Sequence, residues 1–112
     1  WYPFGSNPQF RMDTVAAYKT RIERLHGLAE EAGRDPASIG LAYNCPFHSV
    51  EEQQHPDGGR LICTGSAAQR AEDINAFAEA GTTSMIINLV ANDLNAMLDR
   101  MEEFATNVVP LV

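Results

Sequence analysis

Residues 60–89, RLICTGSAAQRAEDINAFAEAGTTSMIINL, decide the fold class of this chain. Leu61–Cys63 is a short apolar run, Ser66 opens a helix with a glutamine three residues later, and Gly81 stops that helix. Met85–Val90 is a nearly continuous apolar run, as expected of a strand covered on both faces. Since two parallel strands need a helical crossover, the stretch predicts a strand–helix–strand (βαβ) unit.

A longer helix is predicted before this unit. Asp13 is a residue type that caps helices, and apolar side chains then recur at three- and four-residue steps. These are Val15, Tyr18, Ile22, Leu25, Leu28, Ala29 and Ala32. Gly33 stands where a left-handed residue ends helices, and Pro36 prevents continuation. Ile39–Tyr43 is then short, apolar and bounded by turn residues, which indicates a buried parallel strand ending near Asn44.

A last helix closes the chain. Asn92 or Asp93 opens this helix, and Pro110 ends it. Its apolar positions again fall on one side: Leu94, Met97, Leu98, Met101, Phe104 and Val108. The order of helix, strand, excursion, helix, strand and helix predicts an α/β fold with a parallel sheet and right-handed crossovers.

Two stretches are predicted to lack regular structure. Residues 1–11 contain two prolines and a glycine among aromatic residues, with no helical or strand period, so we expect a loop. Residues from about 46 to 60 are polar and aperiodic, and form a long excursion between the first strand and the central unit. Loops of this length in compact domains are either functional lids or disordered.

Composition restricts the function class. The chain has 112 residues, which is single-domain length, and a net charge of −7 that is spread through the helices and disfavours a nucleic-acid partner. No apolar run is long enough to cross a membrane and no signal sequence is visible, so we expect a cytoplasmic protein with reduced Cys45 and Cys63. The chain begins at Trp1 without an initiator methionine, which suggests a piece of a longer protein.

The carboxyl ends of parallel strands and the starts of the following helices share one edge, where ligands bind. The residues predicted at this edge are Asn44, Asn88, Thr64, Gly65 and Ser66. Free N–H groups and the dipole at a helix start favour an anion, so Thr64–Ser66 is a candidate phosphate cradle to which Arg60 could add charge. Plain helix capping by Ser66 and a solvated Arg60 are the alternatives.

Other chemistry has weaker support in the sequence. Cys45, His48, His55 and Cys63 are zinc-ligand types near one excursion, but their spacings do not match the paired knuckles of structural zinc sites, so no metal is expected. A nucleophilic Cys–His pair is equally unsupported. No P-loop, GxGxxG, GxSxG or HExxH motif is present.

Several runs resemble one family. LAEEAGRDPASIGL, TGSAAQRAEDINAFAEAGTTSMIINL and FATNVVPLV together resemble the C-terminal part of bacterial luciferase-like monooxygenases. The opening WYPFG is similar to the segment after a GDGW turn in that family, particularly in its deazaflavin-dependent branch. The resemblance covers nearly the whole chain, is weakest over residues 47–59, and is most specific in the central run.

The resemblance implies a fold and an activity. Family members are (β/α)8 barrels that bind a flavin or coenzyme F420 at the carboxyl face and carry out hydride transfer or monooxygenation on a small-molecule substrate. The chain, as one segment over residues 1–112, would be the C-terminal portion of such a barrel, with FMN or F420 as cofactor. Thr64, Gly65 and Ser66 would then lie near the cofactor phosphate, while no catalytic residue of the family transfers to this chain.

A non-catalytic alternative stays open. A third of a barrel has unpaired strand edges and an uncovered helix face, which promote self-association or pairing with further sequence. The chain would then be a small α/β module that acts by association and forms a homo-oligomer. In either case we expect no nucleic-acid partner and no membrane partner.

Overall fold

The computed structural model describes residues 1–112 and has an α/β fold, as predicted. Its elements in chain order are α1 (Val15–Glu31), β1 (Ala42–Cys45), α2 (Ala67–Glu79), β2 (Ser84–Ile87) and α3 (Leu94–Asn107). Short 3₁₀ turns span Pro36–Ser38 and Val109–Leu111. None of the three helices combines the length and apolarity that a bilayer crossing requires.

The sheet is parallel, and its two strands are consecutive in the chain. β1 pairs with β2 in a register that sets Ala42 opposite Ser84 and Cys45 opposite Ile87. The crossover between them consists of the excursion after residue 45 and α2. The βαβ unit therefore exists, but its first strand is β1.

The prediction that Leu61–Cys63 is a strand was wrong. The Leu61 N–H donates to the carbonyl of Gln53, and Cys63 has a left-handed backbone with φ of 58°. The Cys63 N–H donates to the carboxylate of Asp73 at 2.7 Å. These residues are apolar because they turn into the core beside the start of α2, and three residues do not establish a strand period.

The N-terminal segment is more ordered than the predicted loop. The carbonyls of Trp1 and Pro3 accept hydrogen bonds from the N–H groups of Ala42 and Asn44, and the Gly5 N–H donates to the Asn44 carbonyl. Residues 1–5 thus run parallel to β1 on the edge that β2 leaves open. β1 lies in the middle of three parallel extended segments.

The helix ends follow local rules, with one correction. Thr14, and not Asp13, caps α1, because its hydroxyl accepts the Ala17 N–H at 3.1 Å while the Asp13 carboxylate pairs with Arg11. Gly33 and Gly81, with φ of 70° and 97°, end α1 and α2 in left-handed turns as predicted. Both turns have the paired hydrogen bonds of a Schellman motif. Asp93 caps α3 through the Ala96 N–H.

The strand boundaries differ from the predictions. β1 is shifted toward the C-terminus relative to Ile39–Tyr43, and β2 ends earlier than Met85–Val90. The expectation that the second strand is covered on both faces was also wrong, since the Ile86 side chain is 49% exposed. Helices cover only one face of the sheet, so alternate residues of β2 face outward.

An aromatic cluster forms the core on the helix-covered face. Tyr18 of α1, Tyr43 of β1 and Phe77 of α2 are fully buried, with ring centroids 4.2–5.2 Å apart. Trp1 stacks on Tyr18 at 5.4 Å and closes the cluster beside the N-terminal segment. The Tyr43 hydroxyl donates to the Met12 carbonyl at 2.5 Å, and burial raises the pKa of this phenol well above its usual value. The cluster joins both helices to the central strand.

The opposite side of the molecule is poorly covered. Tyr2, Phe4 and Ile86 are exposed on the open face of the sheet, which is the face that the helices do not cover. The radius of gyration is 15.2 Å, whereas a compact chain of this length has about 13 Å. The chain therefore has a one-sided core and a large uncovered apolar surface.

Candidate functional site

The two asparagines predicted at the ligand-binding edge lie at the carboxyl ends of neighbouring strands. Asn44 is the third residue of β1, and its amide donates to the Tyr2 hydroxyl at 2.7 Å. Asn88 follows β2, donates its N–H to the Cys45 carbonyl, and accepts the Val90 N–H with its side chain. The parallel register brings both to one end of the sheet.

Thr64 and Gly65 connect the excursion to α2. The Thr64 side chain is fully buried; its hydroxyl donates to the Leu61 carbonyl at 2.6 Å and accepts the Gln53 N–H at 3.2 Å. Gly65 has φ of 97°, and a Cβ at this position would lie 2.4 Å from Oε1 of Gln69. The left-handed backbone therefore favours glycine here, and a Cβ would also displace the Gln69 amide.

Ser66 and Gln69 form the predicted capping box at the start of α2. The Gln69 N–H donates to Oγ of Ser66 at 3.3 Å, and the Ser66 N–H donates to Oε1 of Gln69 at 2.8 Å. The Gln69 amide also donates to the carboxylate of Glu52 at 3.1 Å. The N–H groups of Ala67 and Ala68 have no partner in the chain.

Arg60 lies beside this helix start but is already paired. Its two terminal nitrogens donate to the two carboxylate oxygens of Asp73 at 2.7 and 2.8 Å, and one also donates to the Thr64 carbonyl. The hydrogen bonds that Arg60 donates to Asp73 hold the pKa of Arg60 above its ordinary value. The guanidinium thus ties the loop before α2 to the helix.

These contacts decide how the segment fits a phosphate. It offers an anion two free N–H groups, whereas its one cation is neutralised by Asp73 and a second carboxylate, Glu52, lies nearby. A phosphate would meet two carboxylates and no uncommitted positive charge, so the residues as arranged do not fit a phosphate dianion. The predicted phosphate contact of Arg60 and Thr64–Ser66 therefore has no support in these contacts.

A partly buried ion cluster that the sequence analysis missed, formed by exposed Arg11 with buried Asp13 and His55, anchors the excursion to the N-terminal segment. Arg11 donates to the Asp13 carboxylate at 2.9 Å, and Nε2 of His55 lies 3.2 Å from the same oxygen. The Asp57 N–H donates to Nδ1 of His55, and a terminal nitrogen of Arg11 lies 3.1 Å from Nε2. Burial alone would raise the pKa of Asp13, but hydrogen bonds from Arg11 and His55 lower it.

The contacts of this cluster indicate a structural and not a catalytic role. Both nitrogens of His55 are engaged and the ring is buried, so the imidazole presents no free nitrogen to a substrate. A cavity of about 410 Å³ lies alongside, lined in part by Arg11 and Asp13. No sequence signal links residues 11–13 with residue 55, because the contact depends on how the excursion folds back.

A second unpredicted cluster joins the excursion to α2 and α3. Arg70, fully buried on α2, is paired through two hydrogen bonds with Glu103 of α3. The His48 ring lies 6.1 Å from the Phe104 ring, and its Nδ1 is buried without a partner. Burial and then the nearby Arg70 charge lower the pKa of His48. The imidazole is therefore held in its neutral form.

The two thiols are free, buried and close to each other. A hydrogen bond with the Cys45 thiol, followed by burial, raises the pKa of Cys63 far above its usual value. No hydrogen bond joins either thiol to His48 or His55. Among residues 1–112, no group of three or more His, Cys, Asp or Glu side chains is arranged to hold a metal ion.

The chain was compared with protein-family models, with curated proteins and with solved structures, and none of them matches.

Proposed function

We propose that this chain is the C-terminal segment of a flavin- or F420-dependent luciferase-like oxidoreductase. One observation supports the proposal beside the sequence resemblance. Three extended segments, residues 1–5, β1 and β2, lie parallel, and the core helices cover only one of their faces. That is the arrangement expected of neighbouring units in a (β/α)8 barrel, where helices form the outer ring and the inner face closes on itself.

The open face carries side chains that suit an interior. Tyr2, Phe4 and Ile86 are large and exposed, and Asn44 lies among them with its amide bonded to the Tyr2 hydroxyl. Side chains of a barrel strand that face away from the helices fill the barrel or line its mouth. This placement supports a role for the face inside a closed barrel, at a site made with further strands.

The contribution to cofactor binding would then come from the strand ends. Asn44 and Asn88 are at the carboxyl end of the sheet, where barrel enzymes bind ligands. When bound, FMN or F420 supplies hydride chemistry to a small-molecule substrate. The residues of this chain would bind and orient the cofactor or the substrate. The Asn44 amide, which is held in place by its hydrogen bond to the Tyr2 hydroxyl, would present a hydrogen-bonding group to one of them.

The test uses the protein encoded by the complete gene. We expect an upstream α/β pattern of roughly 200 residues, given a usual barrel length of about 250. Fluorescence titration of that protein with FMN and with F420 should show binding of one of them.

Asn44→Ala should weaken binding about fivefold or more, as for one lost neutral hydrogen bond. The control, Asn95→Ala on exposed α3, should bind like wild type. Absence of binding by both cofactors would refute the cofactor assignment.

A second candidate is a self-associating α/β module without catalytic activity of its own. The observation that favours it is the exposure of Leu94, Leu98 and Met101 on α3, which leaves an apolar stripe uncovered. Sedimentation velocity on the 112-residue chain tests this candidate. Concentration-dependent association supports it, whereas a single monomeric species at all concentrations rejects it.

A further inference from the structure

We infer that copies of this chain associate head to tail, with α3 of one copy lying in a groove between α1 and the N-terminal segment of the next. The inference rests on the second candidate function and deepens it by naming the two surfaces that meet. It does not depend on a cofactor. The two surfaces are called the α3 stripe and the α1 groove below.

The α3 stripe is one turn-spaced row of apolar side chains. Leu94, Leu98 and Met101 are 64%, 50% and 49% exposed, and their spacing of four and three residues aligns them on one face of α3. Helical geometry places Glu102 along one border of this row, and its side chain is exposed. The stripe is therefore an apolar ridge with an acidic border.

The α1 groove has the opposite character. It has a volume of about 540 Å³ and its lining includes Trp1, Phe10, Leu25, Leu28, Arg21 and Arg24. The spacing of Arg21, Arg24 and Leu28 places them on one face of α1. The Arg21 guanidinium lies 5.9 Å from the centre of the Phe10 ring. The groove is apolar along its floor and basic along its helical wall.

Charge and shape pair these two surfaces. An apolar ridge with Glu102 on its border fits an apolar groove lined by Arg21 and Arg24, because burial and ion pairing are satisfied together. The pairing is heterologous, since the ridge lies on α3 and the groove lies on α1. Repeating such a contact produces a ring or an open filament.

The strand edges support the same arrangement. β2 pairs only with β1, so the outward N–H and C=O groups of Ser84 and Ile86 are free. At the other edge, the N–H groups of Tyr2 and Phe4 have no partner. α3 follows β2 and α1 follows residues 1–5, so edge-to-edge parallel pairing of two copies would bring α3 beside α1.

The uncovered area matches the size of an interface. The accessible surface is 6,794 Å², whereas a compact monomer of 12.3 kDa exposes about 6,100 Å². The excess of about 700 Å² is close to the roughly 800 Å² that one partner buries at one stable contact, and a head-to-tail assembly uses two such surfaces on each copy.

Charge reversal tests the inference. Sedimentation velocity is measured over a range of concentrations for wild type, for R21E/R24E and for E102R. The matched controls are K19E/R34E and E30R, which change the same numbers of charges at exposed positions on or just after α1, outside the groove. We expect wild type and controls to associate, and each reversed variant to associate at least about tenfold more weakly.

Mixing the two reversed variants makes the test specific. In the mixture an acidic groove meets a basic stripe and a basic groove meets an acidic stripe, so association should return. A monomeric wild type would overturn both this inference and the second candidate function. Association of the reversed variants equal to the controls, or no recovery on mixing, would overturn the inference alone. Leu98→Ser, which keeps the charges, should also weaken association; an unchanged variant would contradict the stripe.

Discussion

Arg70 and Glu103 connect α2 to α3 through two parallel hydrogen bonds, with nitrogen–oxygen distances of 2.8 and 2.5 Å. The Arg70 side chain is 2% exposed, so its charge depends on this partner. The hydrogen bond from Arg70 holds the pKa of Glu103 below its ordinary value. Since no residue of α3 is itself fully buried, this ion pair is a direct buried link between the helix and the rest of the chain.

Removing one partner of this pair should destabilise the fold strongly. Glu103→Ala leaves the Arg70 guanidinium buried without a counter-charge, which costs about 3–5 kcal/mol for a fully buried pair. We expect the lower end of that range, because the Glu103 side chain is 28% exposed and water can reach it. Urea unfolding followed by circular dichroism measures the change in the free energy of unfolding.

A double replacement is the control for this prediction. Arg70→Met combined with Glu103→Leu removes both charges and keeps apolar volume, so it should lose much less stability than Glu103→Ala alone. If Glu103→Ala cost less than about 1 kcal/mol, as an exposed ion pair would, the assigned role of the pair would be wrong.

Local sequence rules predicted the helix ends of this fold better than the contacts between residues distant in sequence. The capping box at Ser66 and the glycine stops at Gly33 and Gly81 depend on a few neighbouring residues, and all three are confirmed. The prediction that Asp13 caps α1 uses the same reasoning, but the Asp13 carboxylate instead contacts Arg11, two residues away in sequence, and His55, far away in sequence. Local preference could not reveal that competition.

The N-terminal segment shows a second limit of prediction from sequence. Residues 1–5 alternate between the core and the open face, but Pro3 lacks the N–H that a regular ladder would use, which argues against a strand. The spacing of the neighbouring bonds shows that this N–H would have pointed at the Ala42 carbonyl. The Tyr18 hydroxyl donates to that carbonyl at 3.5 Å instead. A tertiary contact thus replaces the missing donor.

The candidate site could be placed but not interpreted from sequence. The rule that strand ends share one edge correctly brought Asn44 and Asn88 together. The same rule could not show that Arg60 is bound by Asp73, because the two residues are thirteen positions apart across a loop and a helix start. Which cations are free for a ligand depends on such pairings.

Gly65 should be intolerant of a side chain for two separable reasons. Gly65→Ala forces a left-handed backbone on a residue with a Cβ, and places that Cβ against the Gln69 amide that completes the capping box. We expect a loss of about 2 kcal/mol or more, combining roughly 1 kcal/mol of backbone strain with a disrupted cap.

Gly58 supplies the matched control for this substitution. It has φ of 94°, close to that of Gly65, but a Cβ there would meet no atom within 4 Å. Gly58→Ala should therefore lose only the backbone contribution of about 1 kcal/mol. Equal losses at both positions, measured by urea unfolding, would show that the contact with Gln69 has no energetic role.

Arg60 should act on stability and not on anion binding. Asp73→Asn weakens the two bonds from Arg60 and leaves the guanidinium without its counter-charge, so we expect a loss of about 1–3 kcal/mol, with a similar loss in Arg60→Met. Inorganic phosphate should raise the thermal midpoint of wild type and Arg60→Met by the same amount. A larger increase in wild type would show instead that Arg60 binds phosphate.

His48 should make stability depend on pH just below neutrality. Burial and the Arg70 charge lower the folded-state pKa of His48, while Glu103 opposes them and Arg100 adds to them. Between that pKa and the unfolded value of about 6.5, the unfolded chain binds more protons, so the free energy of unfolding falls as the pH decreases.

His48→Asn should reduce the difference in stability between about pH 7.5 and about pH 5.5. His26→Asn, on α1 and away from Arg70, is the control and should keep the wild-type difference. The lowered pKa of Glu103 acts in a separate, more acidic range, where its stabilisation is lost as the carboxylate is protonated. An unchanged difference in His48→Asn would show that protonation of this imidazole is not linked to folding.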